Sequence, residues 1–292
     1  MKIKYLIITI ASLAFLFTGC NDLDTLPLGN DVTSKQKEET YMLNPERAEA
    51  GVNAIFAQFN QYMPNATALG ASRHNDFGYP SVMLFTDANG IDVVSDDNGY
   101  NWTGNSLDFT DRVYTSNEAQ IMWNNLYALI YTANNVIGPI DADTDDPQSQ
   151  YYLAQGLAAR AFSYFNLVQL YQFNYVGNQS KPAVPIITDE NSDVAALEGA
   201  PRATVEEVYT LILNDISSAI GLLESAQEGG VTRADKRYFD LAVAYGLRAR
   251  VNLTMQKWTE AAADATKAIA ETSAVPTGLT EANKPAFMDI SE

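Results

Sequence analysis

The residues best placed to do chemistry are aromatic and amide side chains gathered in one polar stretch. Tyr100-Asn101-Trp102 follows an acidic turn, Asp96-Asp97-Asn98-Gly99, in a region rich in glycine, asparagine and aspartate. Sugars present flat C–H faces that pack on aromatic rings, and asparagine and aspartate side chains hydrogen-bond their hydroxyls. Trp102 in that setting is a candidate carbohydrate platform; a tryptophan folded back as the loop's own small core is the competing reading. Tyr100 and Asn101 go with Trp102, while His74, Tyr79 and Asp97 are weaker contributors to the same surface. Trp123 and Trp258 fall in helical patterns and are read as core residues.

Most other chemistry lacks its residues. The chain has 1 histidine and 1 cysteine, which excludes zinc sites needing two histidines, multi-thiolate metal sites and any internal disulfide. Neither G-x-x-x-x-G-K nor G-x-G-x-x-G occurs to cradle a phosphate, and no G-x-S-x-G nucleophile elbow is present. His74, within Ser72-Arg73-His74-Asn75-Asp76, has the setting of a surface or hydrogen-bonding residue rather than a triad partner. The acidic turn has the look of part of a calcium loop, yet Val94 stands where an EF-hand needs its first aspartate. A solvated turn and a calcium site of another kind both stay open there. Nothing singles out a carboxylate pair for glycoside hydrolysis. Neither a catalytic residue nor a cofactor is expected. The 36 acidic residues against 18 basic ones give a net charge of −18, a field that repels phosphate and speaks against nucleic acid.

The elements that must position these residues begin after a leader. Lys2 and Lys4 precede an apolar run from Tyr5 to Phe17. As a helix it spans about 20 Å, short of the roughly 30 Å of bilayer hydrocarbon, so it reads as a signal peptide over residues 1–19. The run ends Leu16-Phe17-Thr18-Gly19-Cys20, which resembles the lipobox of bacterial lipoproteins. That resemblance makes Cys20 an acylated membrane anchor. Asn21-Asp22-Leu23-Asp24 is similar to the acidic signal that sends Bacteroidetes lipoproteins to the cell surface. No later segment is apolar enough to span a membrane, and residues 20–44 read as a polar tether.

Helices dominate the remainder of the chain, over a domain read as residues 45–292. Asn44-Pro45 reads as a helix start, with Val52, Ile55, Phe56, Phe59 and Met63 at helical spacing behind it. Residues 64–117 break the rhythm and read as a long insertion of loops with one strand-like run, Val82 to Phe85. Helical spacing returns at Glu118 with Met122, Leu126, Leu129, Ile130, Ala133 and Ile137, and Gly138-Pro139 closes it. A helix from about Gln150 to Gln172 is apolar nearly all round, with a thin polar line at Ser163, Asn166 and Gln169, and should be central. Thr204-Val205-Glu206-Glu207 spells a capping box before an apolar face from Val205 to Leu223. Two further helices, about Phe239 to Met255 and Trp258 to Ala270, pair Tyr245 and Ala249 with Ala261, Ala265 and Ala268. Their small residues resemble a tetratricopeptide hairpin, and helix starts near 204 and 238 repeat its period; a generic antiparallel pair is the alternative. The fold class is mainly α, tetratricopeptide-like hairpins carrying a long irregular insertion.

Several blocks together are similar to the SusD/RagB family. They are Trp123-x-x-Leu126-Tyr127-x-x-Ile130 with Ala133-Asn134-Asn135-Val136-Ile137, Ala158-Ala159-Arg160-Ala161-Phe162-Ser163-Tyr164-Phe165-Asn166-Leu167-Val168 with Tyr171, Val184-Pro185, Pro201-Arg202-Ala203-Thr204-Val205, and Ala249-Arg250-Val251-x-Leu253. The resemblance implies a non-enzymatic lipoprotein of the outer membrane, facing the cell surface, that captures glycans or sometimes peptides. It also implies delivery to a SusC-like TonB-dependent transporter, over which the lipoprotein sits as a lid. A helical-repeat scaffold that binds only proteins is the alternative. Members of the family are much longer, so the chain is expected to represent their first part, and to expose an apolar patch where the remainder packs.

Overall fold

A computed structural model describes residues 33–60, 75–91 and 103–272 of the chain. Residues 1–19 read as a signal peptide, Cys20 and the residues from 273 on lie outside them. Helix α1, Ser34–Leu43, opens the described part on a capping box in which the Thr33 and Gln36 side chains each accept from the other's backbone N–H. Residues read as tether are therefore helical from 34 to 43. A single 3-10 turn, Pro45–Arg47, leads into α2, Ala48–Gln58, which buries Val52, Ile55 and Phe56.

The insertion is not only loop. Residues Tyr79–Ala88 form α3 and Gly104–Leu107 a short α4, so Val82 to Phe85 is helical and not a strand. Its buried positions Val82, Phe85 and Ala88 recur every three residues, and Pro80 sits in the first turn, where its missing N–H costs nothing. Four apolar residues were too few to separate that period from a strand's. Gly78 makes the entry possible. It holds φ at 85°, and a Cβ there would stand 2.5 Å from the Phe59 carbonyl oxygen. Asp76 and the Gly78 carbonyl both accept from Asn125, and burial pushes the Asp76 carboxyl up from its usual range.

Helices α5, Asn117–Ile137, and α6, Pro147–Tyr171, form an antiparallel hairpin. The helices approach closely at Gly156, where a Cβ would meet the Ile137 side chain at 2.9 Å. Helix α6 is the centre of the molecule. It packs against α2, α5 and α8, Val205–Glu228, and Ala154, Ala158, Ala159, Ala161 and Leu167 are fully buried. Its polar line is resolved locally. Ser163, Asn166 and Gln169 each donate to the carbonyl four residues back, at 2.8 Å, which occupies their donors within α6 itself.

Between α6 and α8 the chain forms strand β1, Pro182–Pro185, a short helix α7, Ser192–Glu198, and strand β2, Arg202–Thr204, which pairs antiparallel with β1. Thr204 caps α8 as its sequence predicts: Glu207 N–H donates to Thr204 Oγ1 at 3.2 Å and Thr204 N–H to Glu207 Oε2 at 2.7 Å. These bonds hold the Glu207 carboxyl below its usual range. One buried ion pair locks the layers. The Arg160 guanidinium meets Asp215 twice, at 2.7 and 2.9 Å, and also donates to Asn134 at 3.0 Å and Asp189 at 3.2 Å. Burial works against Arg160's charge, and the two aspartates outweigh it, leaving its pKa raised.

Helices α9, Leu241–Thr254, and α10, Trp258–Ala270, form the final hairpin, turned at Gln256 with φ of 60°. Arg248 grips Asp264 across it at 2.7 and 2.9 Å. Val205 and Leu241 open successive helices, so the spacing seen in sequence relates neighbours and not equivalent helices of two repeats. Trp258 also departs from its reading as core: it is 60% exposed, because it opens a helix that packs chiefly on α9. Leu253 of α9 and Ile269 of α10 are exposed as well. A second apolar opening, of about 490 Å³, lies beside Phe56, Phe59, Phe162, Phe239, Val243 and Leu247. No described helix is long and apolar enough to cross a membrane.

Candidate functional site

Of the residues singled out in sequence, Tyr79 alone falls within the described structure. Asp97, Tyr100, Asn101, Trp102 and His74 lie outside it, as does Cys20. Tyr79 opens α3 half-buried, its ring edge-on to Phe59 and Phe162 at 5.8 and 5.0 Å. Its hydroxyl donates to Asn166 Oδ1 at 3.1 Å. Burial pushes the phenol up from its usual value, with Arg250 and Asn166 pulling the other way. Tyr79 is thus committed to fastening α3 onto α6.

The other end of α3 borders a recess of about 670 Å³. Four segments wall it: Phe85, Thr86 and Asn89 of α3, the turn Asp111–Tyr114, Ala119 and Met122 of α5, and Gln169 to Phe173 at the end of α6. Its floor is apolar and fixed. Phe85 is buried, and Tyr171 donates its hydroxyl to the Ala119 carbonyl while Trp123 packs edge-on at 5.0 Å. Burial drives the Tyr171 phenol far up, so it stays a donor at any ordinary pH.

The rim is aromatic and polar. Tyr114 is 97% exposed and Phe173 77% exposed, an arrangement that leaves two ring faces unpaired beside a concavity. Behind them runs a hydrogen-bond chain. Asp111 Oδ2 accepts from Ser106 Oγ at 2.7 Å and from Asn89 Nδ2 at 3.0 Å, and Asn89 Oδ1 accepts from Arg112 Nε at 2.7 Å. Ser116 donates to the Asp111 carbonyl at 2.6 Å and caps α5 through Ala119 N–H. Phe109 adopts φ of 57°, a left-handed backbone costly for a bulky residue, and lies beneath the Arg112 guanidinium at 4.2 Å. Such a surface offers what a sugar needs: flat apolar faces, and amide and guanidinium groups for hydroxyls. Sequence reading missed these residues because they come from separate segments. The one signal in the sequence was Asp111-Arg112 and Tyr114 standing in the same polar stretch as Trp102.

The fold and the recess define a helical-hairpin scaffold with a concavity walled by α3, α5 and α6. A family described as starch-binding and associating with the outer membrane, SusD-like, matches residues 55–275. The chain belongs to the SusD-like family. A SusD-like protein of Bacteroides ovatus is 24% identical over an aligned length of 271 residues, covering 88% of this chain and 40% of that protein. The crystal structure of a SusD-like carbohydrate-binding protein from Bacteroides vulgatus matches with a TM-score of 0.68 at 25% identity, over 80% of this chain and 46% of that one. A laminarin-binding SusD-like protein matches with a TM-score of 0.53 at 26% identity, over 75% and 42% of the two chains. This chain spans less than half the length of each of these relatives.

Proposed function

We propose that the chain is the glycan-capturing part of an outer-membrane lipoprotein, anchored through Cys20 and facing the cell surface. It passes its ligand to a SusC-like TonB-dependent transporter and does not cleave it. The observation that carries this reading is the recess beside α3, with Tyr114 and Phe173 as free ring faces above the chain of Asn89, Asp111 and Arg112. Family membership supports the ligand class. Trp102, Tyr100 and Asn101 are further ligand contacts in this reading, with Asp97, His74 and Tyr79 as weaker contributors, and Tyr79 serves by orienting α3.

Capture works by additive weak contacts. An aromatic face contributes on the order of 1 kcal/mol, and each hydroxyl bonded to a fixed polar group contributes a similar amount. Titration calorimetry against a panel of neutral and acidic oligosaccharides tests it. At least one should bind, and Tyr114→Ala and Trp102→Ala should each weaken it several-fold; a panel without any binder sinks the reading. The exposure of Leu253, Trp258 and Ile269 favours a second reading, a scaffold that binds only proteins. Detergent extraction of outer membranes separates the two, since a lid co-purifies with a large TonB-dependent barrel and Cys20→Ala releases it.

A further inference from the structure

The recess carries one guanidinium among its lining residues, and that guanidinium is held still although it is exposed. Arg112 Nε donates to Asn89 Oδ1 at 2.7 Å and Nη2 to the Asn89 carbonyl at 3.3 Å, with Phe109 stacked beneath at 4.2 Å. Among the described residues no carboxylate pairs with it, a condition it shares with Arg47, Arg202 and Arg250, whereas Arg160, Arg233, Arg237 and Arg248 each meet an aspartate. Neighbouring Asp111 makes no ion pair with it. That carboxylate gives Oδ2 to Ser106 and Asn89 and is withdrawn from solvent. A guanidinium has five N–H donors, so about three stay free here. The rotamer entropy that an exposed arginine loses on binding a ligand is already spent.

A planar, fixed, unpaired fork of N–H donors matches a carboxylate better than any hydroxyl, because two parallel charge-assisted bonds form at once. We infer that Arg112 makes this recess select glycans that carry carboxylates, such as chains containing uronic acid units. Tyr114 and Phe173 take the ring faces beside it. The inference rests on the glycan reading of the same recess. The net charge of −18 does not cancel it, since physiological salt screens exposed charges beyond about 8 Å, while a carboxylate on Arg112 is in direct contact.

The test pairs each uronic-acid oligosaccharide of a panel with its own carboxyl-reduced form, titrated into wild type, Arg112→Gln and Arg112→Lys. Wild type is expected to bind an acidic member about tenfold or more tightly than its reduced partner, with the advantage shrinking as salt rises. Arg112→Gln should bind the two alike. Arg112→Lys, which keeps the charge without the fork, should keep part of the preference, and thermal unfolding confirms that each variant is folded. Equal binding of both members by wild type overturns the inference and leaves glycan capture standing, as does a preference that survives in folded Arg112→Gln. Absence of binding by every member, acidic and reduced, overturns both.

Discussion

At the scale of single residues the fold depends on two positions where chemistry and geometry leave little freedom. Arg160 and Asp215 face each other almost fully buried, with side-chain exposures of 7% and 6%. Arg160→Ala leaves Asp215 buried without its cation, and Asp215→Ala leaves Arg160 only the longer ion pair with the more exposed Asp189, so each should cost about 3–5 kcal/mol in urea unfolding. The double change Arg160→Met with Asp215→Leu should recover much of that loss, because the desolvation of both charges disappears with them. If the single changes are silent, the pair is not what joins α6 to α8. Gly78 is the second position. Any side chain there is opposed both by φ of 85° and by the Phe59 carbonyl 2.5 Å from its Cβ. Gly78→Ala should therefore lower stability by about 1–3 kcal/mol. It should also loosen Tyr79 and with it α3, measurable as faster amide exchange across residues 79–88.

At the scale of elements the capping box of α8 gives a prediction with a pH dependence. Thr204→Ala removes the bond to Glu207 N–H and should cost about 1 kcal/mol. Glu207 has a folded pKa below its ordinary value of 4.5. A depressed carboxylate contributes stability above the unfolded value and loses it as pH falls through the folded one. The stability gap between wild type and Glu207→Ala should thus be constant near neutrality and close below pH 4.5; a gap that widens in acid would contradict the assigned bonds. Long helices were legible in sequence for the same reason this cap was, namely that their signals are local. Val205, Val208, Tyr209, Ile212 and Ile216 all proved buried as their spacing requires. Helix α3 was not legible, since ten residues carry fewer than three turns and its start depends on Gly78 meeting Phe59. The buried pair joins residues 55 apart in sequence, and periodicity carries no such information. The recess escaped notice for a related reason: aromatic and acidic density pointed to Asp97 and Trp102, whereas Asn89, Tyr114, Gln169 and Phe173 become neighbours only through the packing of α3, α5 and α6.

At the scale of the whole molecule the described helices make a layered body with an unequal surface. On one side the α3–α5–α6 recess presents aromatic rims around fixed polar groups. Elsewhere α9 and α10 expose Leu253, Trp258 and Ile269. Exposed apolar side chains gathered on one hairpin mark a contact surface. Trp258 reports on it directly. With 60% exposure it should be readily quenched by acrylamide, whereas Trp123, packed on Tyr127 and Tyr171 at 4.7 and 5.0 Å, should be shielded. Comparing wild type with Trp258→Phe isolates its contribution, because replacing a mostly exposed ring should change stability by no more than about 0.5 kcal/mol. Loss of a strongly quenched component in Trp258→Phe would show the α10 face open to water in solution. An unchanged quenching curve would mean that something covers that face, and the hairpin would then have to be counted as part of the core.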